Sequence, residues 1–206
     1  MDQKRGKIKA VIFDIGNVII FYDHMIAAKK MSDLINAKPN EVFETLNGRR
    51  NAFSVVSDLG APSSKYWGVA ARTLGIKNIQ PRKFDEIWNT IFLPNKKLIS
   101  LTKKLRKKYE IVALSNINVS HKKYLLNKYN LRKLFDFLVL SCDVKKRKPN
   151  PGIYKIALKK LNTMPSEVIF VDDKHENVNA AKKLGMKTIL FRNNRQFFNE
   201  IKKFNL

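Results

Sequence analysis

Asp14, Ser115-Asn116, Lys148 and the adjacent pair Asp172-Asp173 are the residues of this 206-residue chain whose types and placing can do chemistry together. Three of these positions follow apolar runs: Ile8 to Phe13, Ile111 to Leu114, and Val168 to Val171. Lys148 opens the loop Lys148-Pro149-Asn150-Pro151. A carboxylate at the end of a central strand is costly to bury unless something pairs with it. The carboxyl ends of strands in open α/β sheets are also where ligands bind. Neighbouring strands would bring two carboxylate groups, a hydroxyl and an ammonium into one crevice. Close carboxylates repel, and a cation between them relieves the repulsion. Oxygen ligands without histidine or cysteine suit a hard ion such as Mg²⁺. A lysine and a hydroxyl beside that ion can hold phosphate oxygens. The chemistry this set supports is phosphoryl transfer to a carboxylate, followed by hydrolysis of the aspartyl-phosphate. Taken singly, each residue has an ordinary reading. Asp14 can be a turn residue, Ser115-Asn116 and Asp172-Asp173 can cap helices, and Lys148 can be surface charge.

The elements that must position these residues alternate. The run ending at Phe13 reads as a strand buried on both faces. Residues 18–22 lead into a long stretch with helical signals and no strand pattern. Asp23 caps a helix through Asn36, Pro39 opens another, Ser63 is an N-cap with Gly75 as its stop, and Pro81 starts a fourth. Residues 22–92 are thus expected to be an inserted helical bundle. After Pro94 comes an amphipathic helix with Leu98, Leu101, Leu105 and Tyr109. Strands at 111–114, 137–140, 168–171 and 188–191 then alternate with helices, and a terminal helix carries Phe197, Phe198, Ile201 and Phe204. The fold class is α/β, a Rossmann-like parallel sheet with helices on both faces. Its core comprises residues 1–21 and 93–206.

An apolar fraction of 44% excludes a disordered chain. A single cysteine, Cys142, excludes an intrachain disulfide and points to a reducing, cytoplasmic setting. The apolar run after Lys4, Arg5, Lys7 and Lys9 is broken by Asp14, Gly16 and Asn17, unlike a signal peptide. No stretch is long enough for a membrane span. The formal charge is +24, from 41 Lys+Arg against 17 Asp+Glu. Such a charge suits either a polyanionic partner or solvated helix faces. The lysines come as scattered pairs without aromatic interleaving, which favours solvated faces. Specific nucleic-acid binding is therefore not expected, while non-specific polyanion binding remains compatible with the charge.

The segments Phe13-Asp14-Ile15-Gly16-Asn17-Val18, Leu114-Ser115-Asn116, Arg147-Lys148-Pro149-Asn150-Pro151 and Phe170-Val171-Asp172-Asp173 resemble the four motifs of the haloacid dehalogenase superfamily. The resemblance extends over the chain and includes a helical cap after the first strand. Within the superfamily it is similar to the branch of α-D-glucose-1-phosphate phosphatase and the N-terminal phosphatase domain of soluble epoxide hydrolases. Leu59-Gly60 through Tyr66-Trp67 and the Asp14-to-Asn17 start carry that closer similarity. The resemblance implies a Mg²⁺-dependent phosphatase for a small phosphorylated metabolite, a sugar phosphate among the candidates. A monomer or homodimer is expected. It implies Asp14 as nucleophile and metal ligand, with Gly16 ligating through its carbonyl. Asp173 would be a direct ligand, and Asp172 a ligand directly or through water. Ser115 and the amide of Asn116 would hold the phosphoryl group, and Lys148 would neutralise nucleophile and phosphate together. Asn177 stands where many relatives have an acid and would support the metal shell only indirectly. Arg49, Arg50 and Trp67 are candidates for substrate choice in the cap. One departure stands out: many relatives carry a second Asp two residues after the nucleophile, as general acid, and here that position is Gly16. Asp23, His24 or a bound water are the substitutes left open. A metal-free 2-haloacid dehalogenase and a non-catalytic phosphate- or nucleic-acid-binding relative are the alternatives.

Overall fold

The computed structural model describes residues 7–47, 57–76 and 80–206. Its centre is a five-stranded sheet, with a two-stranded ribbon beside it. The strands are β1 (Ala10–Phe13), β2 (Ile20–Tyr22), β3 (Phe92–Pro94), β4 (Glu110–Ser115), β5 (Phe137–Leu140), β6 (Val168–Asp172) and β7 (Lys187–Leu190). The sheet order is β5-β4-β1-β6-β7, all parallel. Strand β1 is therefore central, and all four of its residues are fully buried. Phe13 pairs in register with Ala113 on one side and Val171 on the other. One residue further along, Asp14 stands level with Asp172, and its N–H donates to the Val171 carbonyl at 2.8 Å.

The long helices are α1 (His24–Ile35), α2 (Pro39–Asn47), α3 (Ser63–Thr73), α4 (Pro81–Trp88), α5 (Lys96–Leu105), α6 (Val119–Lys128), α7 (Pro151–Leu161), α8 (His175–Lys183) and α9 (Asn194–Ile201). Successive strand side chains point to opposite faces, so each strand feeds two cores. Val11, Phe13, Ala113 and Val171 pack with Leu98 of α5 and Phe197 of α9. Ile12, Val112, Leu114 and Phe170 pack with Ile153 and Tyr154 of α7 and Ala181 of α8. The doubly covered parallel sheet is the expected one. The paired lysines lie on the outer helix faces, exposed except for half-buried Lys122.

Asp23 caps α1 as the sequence suggests, accepting from the Met25 N–H at 2.8 Å, and Asn36 ends it in a left-handed conformation. At α3 the cap position falls on Pro62, so Ser63 is already the first helical residue. Gly48, Arg49 and Arg50 lie outside the described residues. The stretch read as strand-free needs correcting. Ile20–Tyr22 pairs antiparallel with Phe92–Pro94, Phe21 opposite Leu93. Three-residue strands are too short for a period-two pattern to show in sequence, and their partner lies about seventy residues away.

Buried Asn95 ties this ribbon to the core. Its amide donates to the Val18 carbonyl at 2.9 Å and to Asn194 Oδ1 at 2.8 Å, and its oxygen caps α5. Asn95→Ala would lose the cap and leave the buried Val18 carbonyl unpaired. A loss of about 2–3 kcal/mol in urea unfolding is expected. A change under about 0.5 kcal/mol would mean the surroundings re-pair these groups.

Candidate active site

Asp14, Ser115 and Asp172 sit at the carboxyl ends of three adjacent strands because the register forces it. Lys148 comes from the loop before α7 and reaches back under them. Its ammonium is 2.9 Å from Asp14 Oδ1 and 2.6 Å from Asp172 Oδ2. The side chain is 1% exposed, so the surface-charge reading of Lys148 is overturned. Asn116 builds this arrangement. Its Oδ1 accepts from the Lys148 N–H at 2.8 Å and its amide donates to the Lys148 carbonyl at 2.9 Å. The helix that follows is capped by Asn118 instead, which excludes a capping role for Asn116.

Asp172 is the most heavily bonded acid. Besides Lys148 it accepts from the Lys174 N–H at 2.9 Å and from the Asn177 amide at 2.9 and 3.1 Å. Asn177 thus holds a carboxylate in place. Asp173 accepts one bond, from the Asn17 amide at 3.2 Å, which leaves its second oxygen free among the described residues. Asn17 can turn that way because it adopts a left-handed φ of 54°. Carboxylate oxygens of Asp14, Asp172 and Asp173 lie within 4.8 Å of one another. An all-oxygen cluster of this kind fits a hard divalent ion.

The electrostatics follow from burial. Removal from water pushes Asp14 up to about 6, and Asp172 adds to the rise against the opposing pull of Lys148 and the Ser115 hydroxyl. Burial raises Asp173 as well. Burial alone would lower Lys148, but Asp14 and Asp172 outweigh it and hold its ammonium above the ordinary lysine value.

Beside the strand ends lies a cavity of about 360 Å³. Gly16, Ser115 and Asn116 line one end, and Tyr22, His24, Trp88, Phe92 and His121 form an aromatic wall. His24 packs on Trp88 with ring centroids 5.0 Å apart, and Trp88 stacks on His121 at 5.8 Å. Burial lowers His24 to about 4 and His121 to about 3, so both rings are neutral at neutral pH. Gly16 does not use a positive φ. A Cβ there would meet Tyr22 Cε1 at 2.9 Å, so the close ring is what calls for glycine.

A family model described as haloacid dehalogenase-like hydrolase matches residues 25–191. The chain belongs to the haloacid dehalogenase-like hydrolases. Among relatives of this hydrolase, the bifunctional epoxide hydrolase 2 of Rattus norvegicus is 44% identical over 73 residues. That match covers 35% of this chain and 13% of the relative, so the chain spans only a small part of it. A sesquiterpene phosphatase of Aspergillus oryzae is 28% identical over 185 residues, 86% of this chain and 87% of the relative. A structure of a family enzyme from Bacteroides thetaiotaomicron, in complex with magnesium and inorganic phosphate, superposes with a TM-score of 0.80. It is 24% identical, covering 90% of this chain and 94% of that one, and it shows the shared fold.

In this dehalogenase-like hydrolase the candidate residues from the four motifs come together, and Trp67 does not join them. Trp67 packs on Phe84 at 4.3 Å inside the helical segment. Asp58 and Arg147 were missed as cavity residues. Their ion pair, 3.1 Å from Arg147 Nη2 to Asp58 Oδ2, joins positions 89 residues apart. No local spacing could have signalled it.

Proposed function

We propose that this chain is a Mg²⁺-dependent phosphomonoester hydrolase acting on a small phosphorylated metabolite, sugar phosphates included, through an aspartyl-phosphate on Asp14. The observation that carries this is the buried Lys148 ammonium held between Asp14 and Asp172. It places one positive charge against the attacking carboxylate and the phosphate it approaches. Ser115 and Asn116 line the adjoining cavity and would hold phosphoryl oxygens. Asp14, Asp173 and the Gly16 carbonyl would hold Mg²⁺, with Asp172 already saturated by donors and acting through water. The bound ion would neutralise phosphate charge in the transition state. The aromatic wall suits a leaving group with an apolar face, which the C–H face of a sugar also offers.

The phosphatase relatives support the reaction class, and the magnesium and phosphate of the structural relative support the ligands. A dehalogenase needs no metal, and three converging carboxylates argue against it. In this reading residues 22–92 act as a cap that closes over a core of residues 1–21 and 93–206 and selects the substrate. The buried single cysteine suits a cytoplasmic setting.

A panel of phosphorylated metabolites assayed with Mg²⁺ and with EDTA is the test. Millimolar Mg²⁺ should raise Tm by several degrees, and EDTA should abolish turnover. Full turnover in EDTA would overturn the metal-dependent reading, and release of halide from 2-chloropropionate would favour the dehalogenase. Binding of phosphate or nucleic acid without turnover would favour the non-catalytic relative.

A further inference from the structure

The leaving-group oxygen needs a proton, and Gly16 offers no side chain to give one. Neither substitute suggested by the sequence fills the gap. The Asp23 carboxylate is turned to the α1 N-terminus, accepting from Met25 at 2.8 Å. His24 lines the cavity, but a neutral imidazole with its ordinary acid form removed by burial is a poor proton donor.

Asp58 lines the same cavity as Gly16, Ser115 and Asn116. It is held from two sides. Arg147 Nη2 donates to Oδ2 at 3.1 Å, and the Ser141 hydroxyl donates to the Asp58 backbone carbonyl at 2.6 Å. Oδ1 has no hydrogen-bond partner among the described residues. Arg147 immediately precedes Lys148, so the loop that carries the ammonium to Asp14 also carries the clamp on Asp58.

We propose that Asp58 is the general acid for the leaving group and the general base for the hydrolytic water. The proposal rests on the phosphatase reading above. In the first step an Asp14 carboxylate oxygen bonds to phosphorus as the bond to the leaving oxygen breaks. The electron pair goes to that oxygen, which takes the Asp58 proton. In the second step water attacks phosphorus, its proton passes to the Asp58 carboxylate, and the bond from phosphorus to Asp14 breaks. Inorganic phosphate leaves and both carboxyl groups return to their starting states. Burial raises Asp58 to about 6, against the lowering pull of Arg147, Lys174 and Lys148. That lies near the range where one group can both give and take a proton at neutral pH.

The experiment is a series of phosphate esters, from p-nitrophenyl phosphate to alkyl phosphates, with Mg²⁺ on the native protein and on Asp58→Asn. The native protein should show a shallow dependence of kcat/KM on leaving-group acidity. Asp58→Asn should lose about 10²–10³-fold on the alkyl ester and under about tenfold on p-nitrophenyl phosphate. Asp58→Glu should restore part of the alkyl activity. An equal fall on both esters would make Asp58 a structural partner of Arg147 and overturn the proposal. A steep dependence in the native protein would overturn it without any variant. No hydrolysis of p-nitrophenyl phosphate by the native protein would instead remove the phosphatase reading itself.

Discussion

Asp14→Asn is expected to drop turnover by roughly 10⁴-fold or more while making the metal-free protein more stable at neutral pH. The amide keeps the shape but cannot attack phosphorus. The stability gain follows from the raised acidity constant. Asp14 holds its proton up to about 6 in the folded chain, against 3.8 ordinarily. Between those values the folded state binds more protons than the unfolded one, so stability falls as pH rises through that window. Above it the charged carboxylate is a net cost to the folded state, which the amide avoids. Urea unfolding in EDTA should therefore show Asp14→Asn ahead of the native protein at pH 7.5 and level with it near pH 4. A variant less stable at pH 7.5 would show that Lys148 stabilises the ionised acid more than burial disfavours it. Turnover near the native rate would remove Asp14 from the chemistry.

Lys148→Met should be the most damaging change at the site. The methionine keeps an aliphatic stem but removes the charge that separates Asp14 from Asp172. Deleting one partner of a buried ion pair costs about 3–5 kcal/mol because the remaining charge stays buried. Here two carboxylates are left facing each other. The penalty, measured in EDTA, should be largest above pH 6 and should shrink below pH 5 as Asp14 takes up a proton. Turnover should fall in parallel, since the phosphate loses its buried cation. An unchanged unfolding midpoint at pH 7.5 would mean that solvent or a cation from solution replaces the ammonium.

The strand ends were legible in sequence because buried parallel strands are continuous apolar runs, and a polar residue closing one is conspicuous. Asp14, Ser115 and Asp172 were found in this way. Lys148 was harder: it follows Lys145, Lys146 and Arg147, and composition cannot say which of four basic residues turns inward. The difference lies in the Asn116 side chain, which fixes the Lys148 backbone from 32 residues away. Asp58 was invisible for the same reason. An acid between Ser57 and Leu59 carries no pattern, and its setting depends on Arg147 and Ser141, which lie 89 and 83 residues further along the chain. The ribbon strands escaped because three residues do not establish a period. Gly16 was legible as a departure, but its cause was not, since the crowding comes from the Tyr22 ring.

That ribbon has a mechanical meaning. Because Ile20–Tyr22 is hydrogen-bonded to Phe92–Pro94, the chain leaves the sheet and returns to it at a single stalk. The helices between touch the rest of the chain again where Asp58 pairs with Arg147 and where Trp88 stacks on His121. Tyr22 of that ribbon and Gly16, two residues after Asp14, both line the cavity, so the stalk itself supplies part of the crevice wall. The same attachment lets the intervening segment lengthen, shrink or diverge without stretching the sheet.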